Sequence, residues 1–260
     1  PRRGHGRRQA ERGVMAAPDG TPVTRGERIR GYAVHVYTAS GIVLAFLAAA
    51  ELCRPRPDPR WIFALFAAAT VIDATDGTLA RRWRVKRTVP EIDGRTIDDI
   101  VDYITFTFLP LLLVWRLNWV PDPVLLWIAP AMIASLFGFA NTGAKDEGGG
   151  FFRGFPSYWN VVAFYAGLLH PLVSGVMIVA LAVLTVLPVR FIYPTLAPRP
   201  WRMPLLVGAF AWLAFMLWTL PGYPDVEPWI LWLSLSYPLL YALLSWHLSR
   251  QDRRTRAPVG

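Results

Sequence analysis

Four aspartates, Asp73, Asp76, Asp98 and Asp102, stand in "DATDGTLAR" and "GRTIDDIVD", and residues 73–102 hold seven of the chain's eighteen acidic residues. A helix turns about 100° per residue, so Asp73, Asp76, Gly77, Ala80 and Arg81 share an arc of about 140°. Gly94, Asp98 and Asp102 line one face of the next helix at i, i+4, i+8 spacing. An antiparallel hairpin turns both faces toward one small volume. Carboxylates gathered there repel one another unless cations sit between them. An all-oxygen donor set suits hard divalent ions, Mg²⁺ or Mn²⁺, and two such ions about 4 Å apart suit in-line displacement at phosphorus. Gly77 and Gly94 clear space for a ligand or a helix, and Arg81 offers a planar, permanently charged fork for phosphate. Ion pairing with nearby arginines is the competing reading. It does not require two shared faces with small residues between the acids.

The elements that must hold these residues are apolar. "WIFALFAAATVI" precedes the acidic stretch and "YITFTFLPLLLVW" follows it. The chain has 260 residues, 54% hydrophobic and 17% charged, with a mean hydropathy of +0.34, too apolar for an ordinary soluble domain. Runs near the ~20 residues that span a bilayer predict an all-α polytopic membrane protein with about eight transmembrane helices. They lie at 32–51, 60–82, 96–116, 123–141, 156–170, 172–190, 203–220 and 228–248, separated by Pro- and Gly-rich gaps. One membrane catalytic domain is expected over 31–250, between a flexible basic segment at 1–30 and a basic tail at 251–260. Met15 follows fourteen residues that read as an upstream extension, and the basic start has no apolar stretch behind it of the kind a signal peptide needs.

Net charge is +9, and twenty-five of the twenty-seven cations are arginine. On a membrane protein this favours anionic headgroups and orientation over nucleic acid. Eight spans place the N-terminus, "RRWRVKR", "RFIYPTLAPRPWR" and "RQDRRTR" on one side, the cytoplasmic side by the positive-inside rule, with the acids at its surface. "RPRPDPR" departs from the rule. The single cysteine, Cys53, excludes an internal disulfide and a cysteine-built metal site.

The pattern D-x2-D-G-x2-A-R-x(n)-G-x3-D-x3-D resembles the signature of the CDP-alcohol phosphotransferases, integral membrane enzymes that move a substituted phosphate from a CDP-linked donor to an alcohol and release CMP. The resemblance implies divalent metal at Asp73, Asp76, Asp98 and Asp102, with Asp102 also the catalytic base. It implies a CDP site at Asp73, Gly77, Ala80, Arg81 and Gly94. Most members have eight residues between the Arg and the second Gly; here Arg82 to Asp93 make twelve. That spacing, with "AVHVYTASG", "DGRTIDDIVDY" and "GFPSYWNVVAFY", is similar to the bacterial phosphatidylcholine synthases. The implied reaction converts CDP-diacylglycerol and choline to phosphatidylcholine and CMP, at the cytoplasmic face of a bacterial inner membrane. The family is often homodimeric.

Choline is a quaternary ammonium, and aromatic faces are its usual receptors. Phe155, Tyr158 and Trp159 of "GFPSYWN" are the candidates, with Asn160 as a polar contact; aromatic residues also collect at membrane interfaces without any ligand. Glu91 and Asp99 fall off the metal face, and pairing with Arg84 or Arg87 is expected. His35 and His170 read as structural, and "DEGGGFFRG" as a flexible loop. Two alternatives remain: a serine, glycerol 3-phosphate or inositol acceptor, and a cation transporter. The last is disfavoured because the acids occupy one sequential hairpin and no repeated halves are visible.

Overall fold

The computed structural model describes residues 15–16, 21–141, 143, 145–146 and 150–256. Helix α1 (Arg25–Ala39) begins at a reciprocal cap: Thr24 Oγ1 accepts from the Glu27 N–H, and the Glu27 carboxylate accepts from the Thr24 N–H. After Ser40 it continues as α2 (Gly41–Leu52). Asp58 caps the first turn of α3 (Pro59–Arg82), with Pro59 at the position where a missing N–H costs nothing. A short α4 (Val85–Thr88) leads to α5 (Gly94–Asp102), capped by Asp93 through the Arg95 N–H.

No loop follows α5. The helix passes directly into a π-helical stretch, Tyr103–Phe108, and then into α6 (Leu109–Arg116). Wide turns of this kind are rare and gather at functional sites; this one starts at the residue after Asp102. The remaining helices are α7 (Leu125–Ala140), α8 (Trp159–Ala166), α9 (Pro171–Val186), α10 (Arg199–Thr219) and α11 (Pro228–Arg256).

Among the described residues there are five short strands. β1 (Met15–Ala16) pairs with β2 (Pro22–Val23), and β3 (Lys145–Asp146), β4 (Phe151–Arg153) and β5 (Arg190–Ile192) form an antiparallel sheet with β4 in the middle. Tyr241 and Ser245 of α11 hold β5 at the Ile192 carbonyl and N–H.

Buried side chains of α3, α6, α7, α8 and α9 form the core, among them Phe63, Leu111, Leu113, Ala131, Ala163 and Ile178. Phe63 meets Phe164 at 5.3 Å and Tyr223 at 5.2 Å between ring centres. This aromatic knot lies ten residues before Asp73, about 15 Å along α3 at the helical rise, so it is nearer the start of the helix than the acids are. Large apolar side chains, such as Phe46, Phe137 and Trp232, cover the outside. Such a surface suits lipid, where helices satisfy their own backbone groups.

The all-α membrane class agrees with the sequence. Among the described residues, four helical runs are long and apolar enough to cross a membrane: Arg25–Leu52, Pro59–Arg82, Arg199–Gly222 and Pro228–Asp252; α7 and α9 are shorter apolar helices. The region expected as span 156–170 holds only the eight residues of α8, about 12 Å of helix. Its start is displaced by Ser157, whose backbone is left-handed at φ 55°. Helix α1 begins at Arg25, inside the stretch expected to be flexible. In "DEGGGFFRG", residues 147–149 lie outside the described set, while Phe151–Arg153 form the central strand rather than loop. Gly154 makes that strand's exit possible: its φ is +86°, and a Cβ there would stand 2.1 Å from the Thr185 carbonyl oxygen.

Candidate active site

Helices α3 and α5 bring the predicted acids together. One carboxylate oxygen each from Asp73, Asp98 and Asp102 lies within 4.8 Å of the others, all three residues being half-buried. Three carboxylates so close, with only oxygen donors, fit a hard divalent cation. Asp76 is turned differently. It is buried, and its Oδ2 accepts a 2.8 Å hydrogen bond from Thr38 Oγ1 on α1.

Gly77 and Ala80 share the Asp73 face, and Gly77 is open: a Cβ there would find as its nearest neighbour the Arg81 guanidinium, at 3.4 Å. Arg81 is exposed and donates to Thr78 Oγ1. Gly94 is tight. A Cβ at 94 would stand 2.7 Å from His35 Cε1. His35 is itself buried, and its Nε2 has no hydrogen-bond partner among the described residues.

No protein-family model matches the chain. The chain is 36% identical over 197 residues to the phosphatidylcholine synthase of Pseudomonas aeruginosa, an alignment covering 74% of this chain and 79% of that one. It is 34% identical over 232 residues to that of Bradyrhizobium diazoefficiens, covering 82% of each chain, and 31% identical over 207 residues to that of Rhizobium meliloti, covering 78% and 83%. The chain belongs to the phosphatidylcholine synthase family.

In this phosphatidylcholine synthase family chain the twelve residues between Arg81 and Gly94 build a connection with its own anchors. Arg84 takes a left-handed backbone (φ 48°) to start α4. Glu91 accepts from the Tyr32 hydroxyl at 2.6 Å and pairs with Arg28, both on α1. The expected pairing with Arg84 or Arg87 is replaced by these contacts with α1. These bonds, the Tyr32 hydroxyl foremost, hold the Glu91 carboxyl below its ordinary range. Asp93 is lowered in the same way by Thr96 Oγ1 and by the Arg95 N–H, as befits a helix cap. Asp99 pairs with Arg95 one turn back along α5.

The aromatic candidates divide. Trp159 is fully buried, and its Nε1 donates to Ser135 Oγ at 2.7 Å. Asn160 is buried and donates to Thr70 Oγ1. Tyr158 is half-buried, and its hydroxyl lies within electrostatic reach of Asp73, Asp102, Tyr193 and Tyr241. Its ring stands 6.4 Å from Phe106 and 6.5 Å from Phe155, and Phe155 stands 6.3 Å from Phe191. Phe191 in turn stacks on Tyr241. The sequence reading missed Phe191 and Tyr241, which come from a strand and a helix far along the chain. It also missed α1. The available signal there was a histidine and a threonine three apart in "HVYT", polar groups in a run otherwise apolar enough for a membrane.

Proposed function

We propose that the chain is a phosphatidylcholine synthase that transfers the phosphatidyl group from CDP-diacylglycerol to choline and releases CMP. The observation that carries this is the convergence of Asp73, Asp98 and Asp102 from two helices in a chain of this family.

Asp73, Asp76, Asp98 and Asp102 would hold divalent cations, Mn²⁺ or Mg²⁺, whose contribution when bound is to neutralise charge on the diphosphate and the leaving CMP. Asp102 takes the proton of the choline hydroxyl. The freed oxygen forms a bond to the phosphorus that carries diacylglycerol, and the bond from that phosphorus to the CMP oxygen breaks. Asp73, Gly77, Ala80, Arg81 and Gly94 bind the CDP portion: the open side of Gly77 admits it and the Arg81 fork pairs with phosphate. Tyr158 offers a π-face to the ammonium group beside the carboxylates, with the Phe155 ring next to it; of the other two candidates, Trp159 and Asn160 are buried and support the wall behind it. About eight spans in the CDP-alcohol phosphotransferase fold remain the proposed arrangement; the helical rod of residues 94–116 supports the third of them.

The arginine-rich ends of α3 and α11 support a bacterial inner-membrane location with the site facing the cytoplasm. Membrane lipids and a second copy of the chain, rather than nucleic acid, are the expected partners. Purified protein given CDP-diacylglycerol should form phosphatidylcholine with choline, and EDTA should stop the reaction until Mn²⁺ or Mg²⁺ is returned. Full turnover in excess EDTA, with no metal found by elemental analysis, would remove the cations from this reading.

A further inference from the structure

We propose that Thr38 is a positioning residue that sets the direction of the Asp76 carboxylate. Most threonines inside helices here donate to their own helix. Thr70 donates to the Phe66 carbonyl, Thr105 to that of Val101 and Thr185 to that of Leu181, the usual local bond of a helical hydroxyl. Thr38 instead reaches across to α3, donating to Asp76 Oδ2 at 2.8 Å.

The neighbouring pair repeats the contact. The Tyr37 hydroxyl and Thr75 Oγ1 are 2.8 Å apart, so consecutive residues of α1 meet consecutive residues of α3. Two bonds in step fix the register of the two helices at the turn that carries the site. Both Thr38 and Asp76 are buried, where an unmade hydrogen bond to a carboxylate is costly. A branched side chain on a helix has few rotamers, so the backbone of α1 dictates where the Thr38 hydroxyl stands.

The direction of its carboxylate decides whether Asp76 can join the other acids in holding a cation. The set of three carboxylates within 4.8 Å is Asp73, Asp98 and Asp102. Thr38 binds one oxygen of Asp76 and so helps to set where the other points. Partners one bond behind a ligand commonly change metal affinity 10–100-fold. This inference rests on the divalent-cation reading of the four aspartates.

The test is Mn²⁺ binding to the purified full-length protein in detergent, read by electron paramagnetic resonance without substrate. Thr38→Val keeps the shape and removes the hydroxyl; it should weaken Mn²⁺ binding about tenfold. Thr38→Ser should bind like the parent. Tyr37→Phe breaks the adjacent cross-helix bond without touching Asp76 and should also bind like the parent. Unchanged affinity in Thr38→Val, beside a parent that binds, overturns the positioning role alone. An equal loss in Tyr37→Phe overturns it too, since helix docking would then explain both. A parent that binds no Mn²⁺ overturns the cation reading and this inference together. Should Thr38→Val fail to fold, Thr38→Ala carries the same comparison with the same two outcomes.

Discussion

His35 packs on Gly94 so closely that a Cβ at position 94 would stand 2.7 Å from its Cε1 and 3.1 Å from its Nδ1. The glycine at the head of α5 is therefore required by a side chain of α1. Gly94→Ala should destabilise the protein by about 1–3 kcal/mol, the usual cost of overpacking. It should also lower turnover by shifting α5. The double variant His35→Ala, Gly94→Ala should regain much of the thermal stability. If Gly94→Ala alone melts like the parent, the contact is looser than described.

Removing one acid should disable the cluster without unfolding the chain. Asp73→Asn or Asp98→Asn should express normally, lose at least 100-fold in turnover and bind Mn²⁺ more weakly, since each supplies an oxygen to the set of three. Turnover within a few-fold of the parent in both would make the acids structural.

Tyr158 and Trp159 should part company. Tyr158→Ala should raise the half-saturating choline concentration up to about thirtyfold, the value of one desolvated cation–π contact, with little change for CDP-diacylglycerol. Trp159→Ala removes a fully buried ring that donates to Ser135 and should cost about 3–5 kcal/mol of stability. Loss of choline affinity in Trp159→Phe at unchanged stability would reverse these roles.

Glu91 makes a pH prediction. Its carboxyl is held below its ordinary value of about 4.5, so the bonds to Tyr32 and Arg28 stabilise the fold above that pH. The contribution is lost as pH falls through the lowered folded value. Glu91→Gln should melt lower than the parent at neutral pH, and the gap should close on acidification below about 4.5. A gap that stays constant with pH would assign the effect to packing.

Part of the acidic site was legible, because helical spacing puts Asp98 with Asp102 and a hairpin brings Asp73 to them; spacing did not show that Asp76 meets Thr38. Apolar run length marked the long helices. Thr38 left only the trace of a polar residue in an apolar run, and Phe191 and Tyr241 left none: each reaches the site, or its aromatic surroundings, through tertiary packing between segments distant in sequence, which spacing cannot report. The π-helical turn after Asp102 escaped because its residues, "YITFTF", read as ordinary apolar helix. The short α8 escaped because apolar content does not reveal the left-handed Ser157 that delays its start.

The account stands most directly on acceptor choice. Purified protein in detergent micelles is given CDP-diacylglycerol, Mn²⁺ and, separately, choline, serine, glycerol 3-phosphate or inositol, and CMP release is measured with the lipid product identified. CMP release with choline should be matched by phosphatidylcholine, with little release from the others. Preference for another alcohol, or no CMP with any of them, would contradict it.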